Sequence, residues 1–307
     1  MLHNDHVPVG KLPNLINMCQ KLSEAVCKSI NLAYWVLEEY ERCAVATADE
    51  RHVVPIMLTY DFIEAIDGVA ILASMGSSQN CNVLLRTAYE IVLSAIYITQ
   101  SDGEFKRRGL AYEFFHARNQ LHFLERADPG TAVGRPLRAE LYGDPHAAAL
   151  DWQDDENLPH LLGVHRSRLG SSRYADIVLE IEKMKSNRQK PKDWYALWGG
   201  PTDIRQLAKQ TMGIVSYETL YRTFSGTTHG ATSLSRRLPS SPGTTMIRPI
   251  RSPDGLPLAC ALAVRLSIAL SSHLVELQLP DKLDEFNLRM TNDIRPAKEF
   301  INRHIPD

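Results

Sequence analysis

The sequence predicts an all-α protein, a multi-helix bundle carrying a loop-rich insertion, and three observations support that expectation. Apolar residues recur at three- and four-residue spacing through most of the chain. The alternating pattern of half-buried strands and the Asn-Gly turns of hairpins are almost absent. Breaks in the helical pattern are confined to three segments rich in glycine, proline and serine.

In chain order the periodicity predicts helices over 13–45, 51–75, 79–100 and 104–127, then 172–188, 202–228, 257–279 and 281–303. The most apolar stretch, Val83 to Ile98, is interrupted by Arg86 and Glu90. It is shorter than a bilayer-spanning helix needs and is expected to be a central core helix. The first break, Asp128 to Ser172, contains "DPGTAVGRP", "YGDPHAAALDWQDDENLP" and "LGSS", and reads as loops with one or two short helices. A second connection, "SNRQKPKDWYALWGGPTD", carries Trp194 and Trp198. The third, "RRLPSSPGTTMIRPIRSPDGLP", reads as a long surface loop with Arg236, Arg237, Arg248 and Arg251. These breaks suggest an N-terminal helical segment over 1–49 and a helical core over 50–235 with its insertion at about 128–172. A basic loop and a C-terminal helical pair packing on the core, 236–307, complete the division. No internal repeat or heptad run is present.

A chain of 307 residues exceeds what one hydrophobic core usually fills, so one large domain with insertions or two packed ones are expected. The hydrophobic fraction of 44% and net charge of -2 suit a soluble globular protein without global attraction to nucleic acid or anionic lipid. Any polyanion contact must then be local. Five scattered cysteines, Cys19, Cys27, Cys43, Cys81 and Cys260, form no C-x-x-C pair and read as reduced, buried small hydrophobes. The first residues lack a basic region followed by an apolar run, so the expectation is a cytoplasmic protein with no membrane partner.

Two places carry candidate chemistry. Arg86 and Glu90 are the charged residues of the helix predicted over 79–100, and their i, i+4 spacing puts them on one face. Buried charges must be paired, so they are expected to form a structural ion pair or to orient a catalytic group from another helix. In "LYRTFSGTTHG", Leu220 to Gly230, helical geometry places Arg222, Ser225 and His229 within about 60° of one another. Tyr217 and Tyr221 lie one turn apart beside them. A histidine titrating near neutrality can take a proton from a ribose 2′-hydroxyl or give one to the leaving oxygen, while an arginine fork holds the phosphate. Such a set needs no metal and no cofactor. A hydrogen-bonded polar seam between helices is the structural alternative.

The segments "AIDGVAILASMGSSQNCNVLLRTAYEIVLSAIYI", "KDWY" and "YETLYRTFSGTTHG" resemble the bacterial domain-of-unknown-function family 5677 over roughly residues 50 to 235. That family's Leu-Arg-x-x-x-Glu corresponds to Leu85, Arg86 and Glu90. Its Tyr-Arg-x-x-Ser-x-x-x-His corresponds to Tyr221, Arg222, Ser225 and His229. The family in turn looks like a distant member of the HEPN (higher eukaryotes and prokaryotes nucleotide-binding) helical bundles. Many of these are metal-independent ribonucleases of toxin and phage-defence systems, with arginine and histidine on one helix of a homodimer. The resemblance implies His229 as general acid/base and Arg222 as transition-state stabiliser, with Ser225, Arg86, Glu90 and Tyr221 in support. It also implies RNA as substrate and a regulatory partner protein. The chain departs from active members of the group at Thr223, where they usually carry an amide or an acid.

Two rivals follow from the residues. A di-metal carboxylate bundle would use Glu-x-x-His pairs, and Glu113 with His116 has the required order. The reversed pairs His122 with Glu125 and His273 with Glu276 do not, and the usual duplicate is missing. An interaction module would instead join Glu90, Arg222 and His229 in one satisfied network. His3, His6, His146, His160 and His165 read as solvated side chains. The arginines at 236, 237, 248 and 251 read as a solvated surface that would also suit RNA backbone contacts. Trp194 and Trp198 read as packing anchors rather than base-stacking platforms.

Overall fold

The apolar periodicity resolves into helices close to the expected ranges. In the computed structural model, residues 13–144, 157–222, 224, 237–238, 246–247 and 251–305 are described. Four long helices come first: α1 (Pro13–Thr47), α2 (Val53–Ser74), α3 (Ser78–Thr99) and α4 (Asp102–Ala127). The insertion holds two short ones, α5 (Gly134–Gly143) and α6 (Leu158–Leu169), followed by α7 (Ala175–Ser186). After these come α8 (Ile204–Gln210) and α9 (Ile214–Ser216), which runs on into a π-helical turn over Tyr217–Tyr221. The C-terminal part contains α10 (Leu256–Gln278), α11 (Leu283–Arg289), a second π-helical turn (Met290–Ile294) and α12 (Arg295–Asn302).

Three expectations are corrected. The helix expected over 202–228 is split because Gly213 adopts φ 84, a left-handed conformation that ends α8, with its N–H bonded to the Ala208 carbonyl at 2.7 Å. The helix expected over 281–303 contains a π-helical turn, which inserts one residue into its register. The third break is not all loop: β1 (Arg237–Leu238) pairs antiparallel with β2 (Met246–Ile247), Arg237 opposite Ile247.

The described residues of Met1–Phe105 and Ile204–Asp307 form one compact unit, and Lys106–Asp203 a second. In the first, α1 packs on α2 and α10, and α3 packs on the same two helices, closing a four-helix bundle. Its core follows the sequence period: Cys19, Leu22, Val26, Ala33, Leu37 and Tyr40 on α1, and Leu85, Ala88, Tyr89, Val92 and Ile96 on α3. Each fully buried Leu or Val contributes about 1.5–3 kcal/mol relative to exposure. Because α1 and α10 supply half of this bundle, the terminal segments are part of the core and not additions to it. The helix α12 packs against α1 and α10.

Helices α3 and α10 are long and apolar enough to cross a bilayer by composition, and α3, with 22 residues, is longer than the apolar stretch expected there. More than half of each apolar window is buried against the other helices. Cys19, Cys81 and Cys260, from α1, α3 and α10, lie in this core, where burial pushes the Cys81 thiol up to about 12. All five cysteines are free, but Cys27 is exposed and Cys43 half-buried, so burial holds for three of them.

The second unit is wider than the expected insertion because α4 from Lys106 onward and the chain from α7 to Asp203 join it. Phe114 and Phe115 on α4 are buried with Tyr174, Ile177 and Trp194, and the Phe114 and Tyr174 rings meet edge to face at 5.4 Å. Its main polar anchor is Glu113, which accepts hydrogen bonds from Arg168 at 2.6 Å, Arg173 at 3.1 Å and the Tyr174 hydroxyl at 2.8 Å. At the start of α5, Gly134 is required by packing, since a Cβ there would lie 2.0 Å from the Asp128 carbonyl oxygen.

Candidate active site

The π-helical turn Tyr217–Tyr221 determines what each candidate side chain meets. One π turn adds a residue to the local period, so positions after it are rotated by about 100° from a regular helix. Leu220 and Phe224 point into the first unit's core. Tyr221 is half-buried and stacks on Tyr217 at 5.1 Å with 19° between the rings. Arg222, the next residue, faces solvent with its side chain 70% exposed.

Tyr221 closes a network with α3. The Arg86 Nε donates to Glu90 Oε1 at 3.0 Å and an Nη2 of the same guanidinium donates to the Tyr221 hydroxyl at 3.0 Å. The guanidinium carbon also lies 5.0 Å from the Tyr221 ring centroid, a cation–π distance. Burial raises the Tyr221 phenol pKa and the Glu90 charge adds to it, so the phenol stays protonated at neutral pH. Beside it the buried Tyr89 hydroxyl and Ser216 Oγ share a hydrogen bond of 2.7 Å, and Ser216 donates to the Gly213 carbonyl. The ion pair expected on α3 is present, but burial of both its charges is not: the Glu90 side chain is 42% exposed and Arg86 19% exposed. Their helix face turns towards the π-helical turn Tyr217–Tyr221 rather than the centre of the bundle, which leaves the pair at the rim.

Arg222 belongs to a different group of charges. Its Nη1 donates to Glu218 Oε2 at 2.9 Å, while Arg205 on α8 donates from Nε to Oε1 of the same carboxylate at 3.2 Å. The hydrogen bond to Arg222 is the main cause holding the Glu218 carboxyl below its usual range, with Arg205 assisting. Two guanidiniums on one carboxylate leave a surplus positive charge on an exposed surface. Among the described residues no contact joins Glu90 to Arg222, since Glu90 pairs with Arg86 and Arg222 with Glu218. Arg205 and Glu218 were missed in the sequence. Glu218 was visible as the i−4 partner of Arg222, whereas nothing local marks Arg205, whose partner lies beyond the Gly213 break.

Ser225 and His229 lie outside the described residues, as do Arg236 and Arg248, and of Arg237 only the backbone is described. Arg251 is half-buried next to Ser252, whose carbonyl accepts from Ser78 Oγ at 2.9 Å and fixes this end of the basic stretch to the start of α3.

The Glu-x-x-His pair does not converge on a common ligand position. Glu113 is committed to Arg168, Arg173 and Tyr174, and the exposed His116 shares a hydrogen bond with Gln120 at 2.9 Å. Glu125 pairs with Arg166 at 3.1 Å. The His273 ring meets Thr99 Oγ1 at 2.8 Å. That hydroxyl also lies 2.7 Å from the Ala95 carbonyl, to which it can donate while accepting from the ring. Burial lowers the His273 pKa to about 4. Among the described residues no group of three or more His, Cys, Asp or Glu is placed to hold a metal ion. His3, His6 and His146 lie outside the described residues, and His160 is exposed. His165 is half-buried, and its Nδ1 is enclosed without a partner among the described residues. Trp194 is buried edge to face with Tyr112 at 5.4 Å, and Trp198 lies 4.3 Å beneath the Arg107 guanidinium.

A family model described as a family of unknown function, DUF5677, matches residues 52–244, well over half of the chain. The match takes in α2 to α9 and both candidate motifs. No curated protein matches the chain, and no solved structure does.

Proposed function

The chain belongs to the DUF5677 family, and we propose that it is a metal-independent, HEPN-like endoribonuclease of a toxin or phage-defence type. The observation that carries this reading is the Arg205–Glu218–Arg222 cluster, whose surplus charge is presented to solvent seven residues before His229. An exposed guanidinium with a carboxylate partner is already oriented, and a phosphate can replace that partner without leaving Glu218 unpaired, because Arg205 remains. In the proposed reaction His229 accepts the ribose 2′-hydroxyl proton as that oxygen bonds to the adjacent phosphorus. The 5′-oxygen leaves and takes up a proton, so the products are a 2′,3′-cyclic phosphate and a 5′-hydroxyl. Arg222 offsets charge on the phosphoryl oxygens, and Ser225 supports it. Arg86 and Glu90 act at one remove by fixing Tyr221, and so the turn that carries Arg222. Arg236, Arg237, Arg248 and Arg251 would hold the RNA backbone. The same reading includes a cytoplasmic homodimer and a regulatory partner protein.

One observation favours a second reading, a non-catalytic binding module: Arg86, Glu90 and Tyr221 satisfy one another without any ligand. Expression in a bacterial host separates the two. The nuclease reading predicts arrested growth and degraded RNA with the wild-type chain and neither with His229→Ala at equal protein level. Equal effects of both chains would remove His229 from the mechanism.

A further inference from the structure

We propose that the segment Arg188–Lys192, at the end of α7, is a second contact for single-stranded RNA, where three cations follow the strand's phosphates. This deepens the nuclease reading and rests on it for the identity of the ligand. The segment "KMKSNRQKPK", Lys183 to Lys192, carries five cations and no acid, in a chain whose net charge is -2. All five are exposed. Lys183 pairs with Glu180 at 3.5 Å, and no described carboxylate pairs with Lys185, Arg188, Lys190 or Lys192.

Helix chemistry accounts for part of this run. Lys183 and Lys185 occupy the last turn of α7, where cations complement the helix dipole. The remaining three lie beyond the helix and have no such explanation. Arg188 stands at φ 57, in the left-handed region that favours glycine. It closes a Schellman cap, with Gln189 N–H bonded to the Met184 carbonyl at 2.8 Å and its own N–H to the Lys185 carbonyl at 2.9 Å. Glycine would hold this turn with less strain, so an arginine here trades backbone comfort for a charge at a fixed place.

Past the cap, Lys190 precedes Pro191, which biases it to extended backbone. Pro191 is buried, and Trp194 is buried with its N–H capped by Asp193 at 2.9 Å. The strip is thus tied at both ends while its cations stay in solvent. Arg188, Lys190 and Lys192 alternate two residues apart, so neighbouring cations are separated by at most about 7 Å of chain, on the order of one nucleotide step. Evenly spaced single charges suit a phosphate backbone. The other exposed side chains between Lys183 and Lys192 are Ser186, Asn187 and Gln189, which can hydrogen-bond to sugar and phosphate but offer nothing to insert into lipid.

The test uses the full chain and a fluorescent single-stranded 2′-O-methyl RNA, which lacks the hydroxyl that cleavage requires. The expected result is that Arg188→Gln/Lys190→Gln/Lys192→Gln weakens binding more than tenfold at about 0.1 M salt, and lowers the slope of log affinity against log salt by about 2. Arg188→Gly, which relieves the backbone, is expected to raise the melting temperature while weakening binding. Unchanged affinity and slope in the triple variant would overturn the proposal, as would equal competition by polyglutamate, which would mark an acidic protein partner. The outcomes separate from those for the active site. Charge-dependent binding without RNA cleavage by the wild-type chain supports the strip and sinks the nuclease. Cleavage with probe binding unmoved by the triple variant does the reverse.

Discussion

Arg86 and Arg222 are both arginines near one turn, yet their surroundings assign them opposite roles. Arg86 is largely covered and spends its donors on Glu90 and Tyr221. Arg222 is exposed and leans on a carboxylate that it shares. Removing an exposed i, i+4 partner alters stability little. Arg222→Ala is therefore expected to leave the melting temperature in place while abolishing RNA cleavage, and a large thermal shift would make Arg222 structural. Thiol labelling tests the bundle core at single residues: in the native chain a disulfide reagent should modify Cys27 and, more slowly, Cys43. Cys19, Cys81 and Cys260 should react only after denaturation, because burial keeps these thiols protonated and out of reach. Fast native modification of Cys81 or Cys260 would contradict the packing.

His273 gives the pH dependence a definite sign. Its pKa is lowered by burial to about 4 from 6.5, so the unfolded chain binds the proton more readily. The stabilisation is complete above about pH 6.5 and is lost as pH falls through 4, amounting to about 3 kcal/mol across that window. Denaturant midpoints should fall between pH 7 and pH 4.5 in the wild type, and the fall should be shallower in His273→Gln. Equal pH slopes in both would remove His273 as the cause.

The helices were legible because a buried stripe repeats every three to four residues over twenty or more positions, as on α1 and α3. The π-helical turn at Tyr217–Tyr221 was not legible, since no residue type marks an inserted residue and the sequence there still reads as regular helix. The ion pair on α3 was readable from spacing, but its exposure depends on a neighbouring helix more than a hundred residues away. Arg205 was invisible for the same reason in miniature. The second unit shows how much a single side chain can organise: Glu113→Gln keeps shape but removes the charge that holds Arg168 and Arg173. A loss of about 1–3 kcal/mol is expected, with hydrogen exchange rising in α6 and α7. Unchanged exchange there would show that Glu113 is incidental to that unit.

Among the described residues each unit presents a local positive surface, although the net charge of the chain is negative. One is the exposed surplus at Arg205 and Arg222, the other the strip beyond α7. The insertion between α4 and α8 was recognisable from its glycine and proline content, but its true extent was not. The aromatic residues of α4 that join it, Phe114 and Phe115, fall on a regular helical stripe that could have packed on either unit. The most direct measurement is cleavage of a defined RNA by the purified chain in excess chelator, with the product ends identified. The account predicts fragments ending in 2′,3′-cyclic phosphate from the wild type and none from Arg222→Ala or His229→Ala. Equal cleavage by all three proteins, or cleavage that vanishes with chelator and returns with a divalent metal, would contradict it.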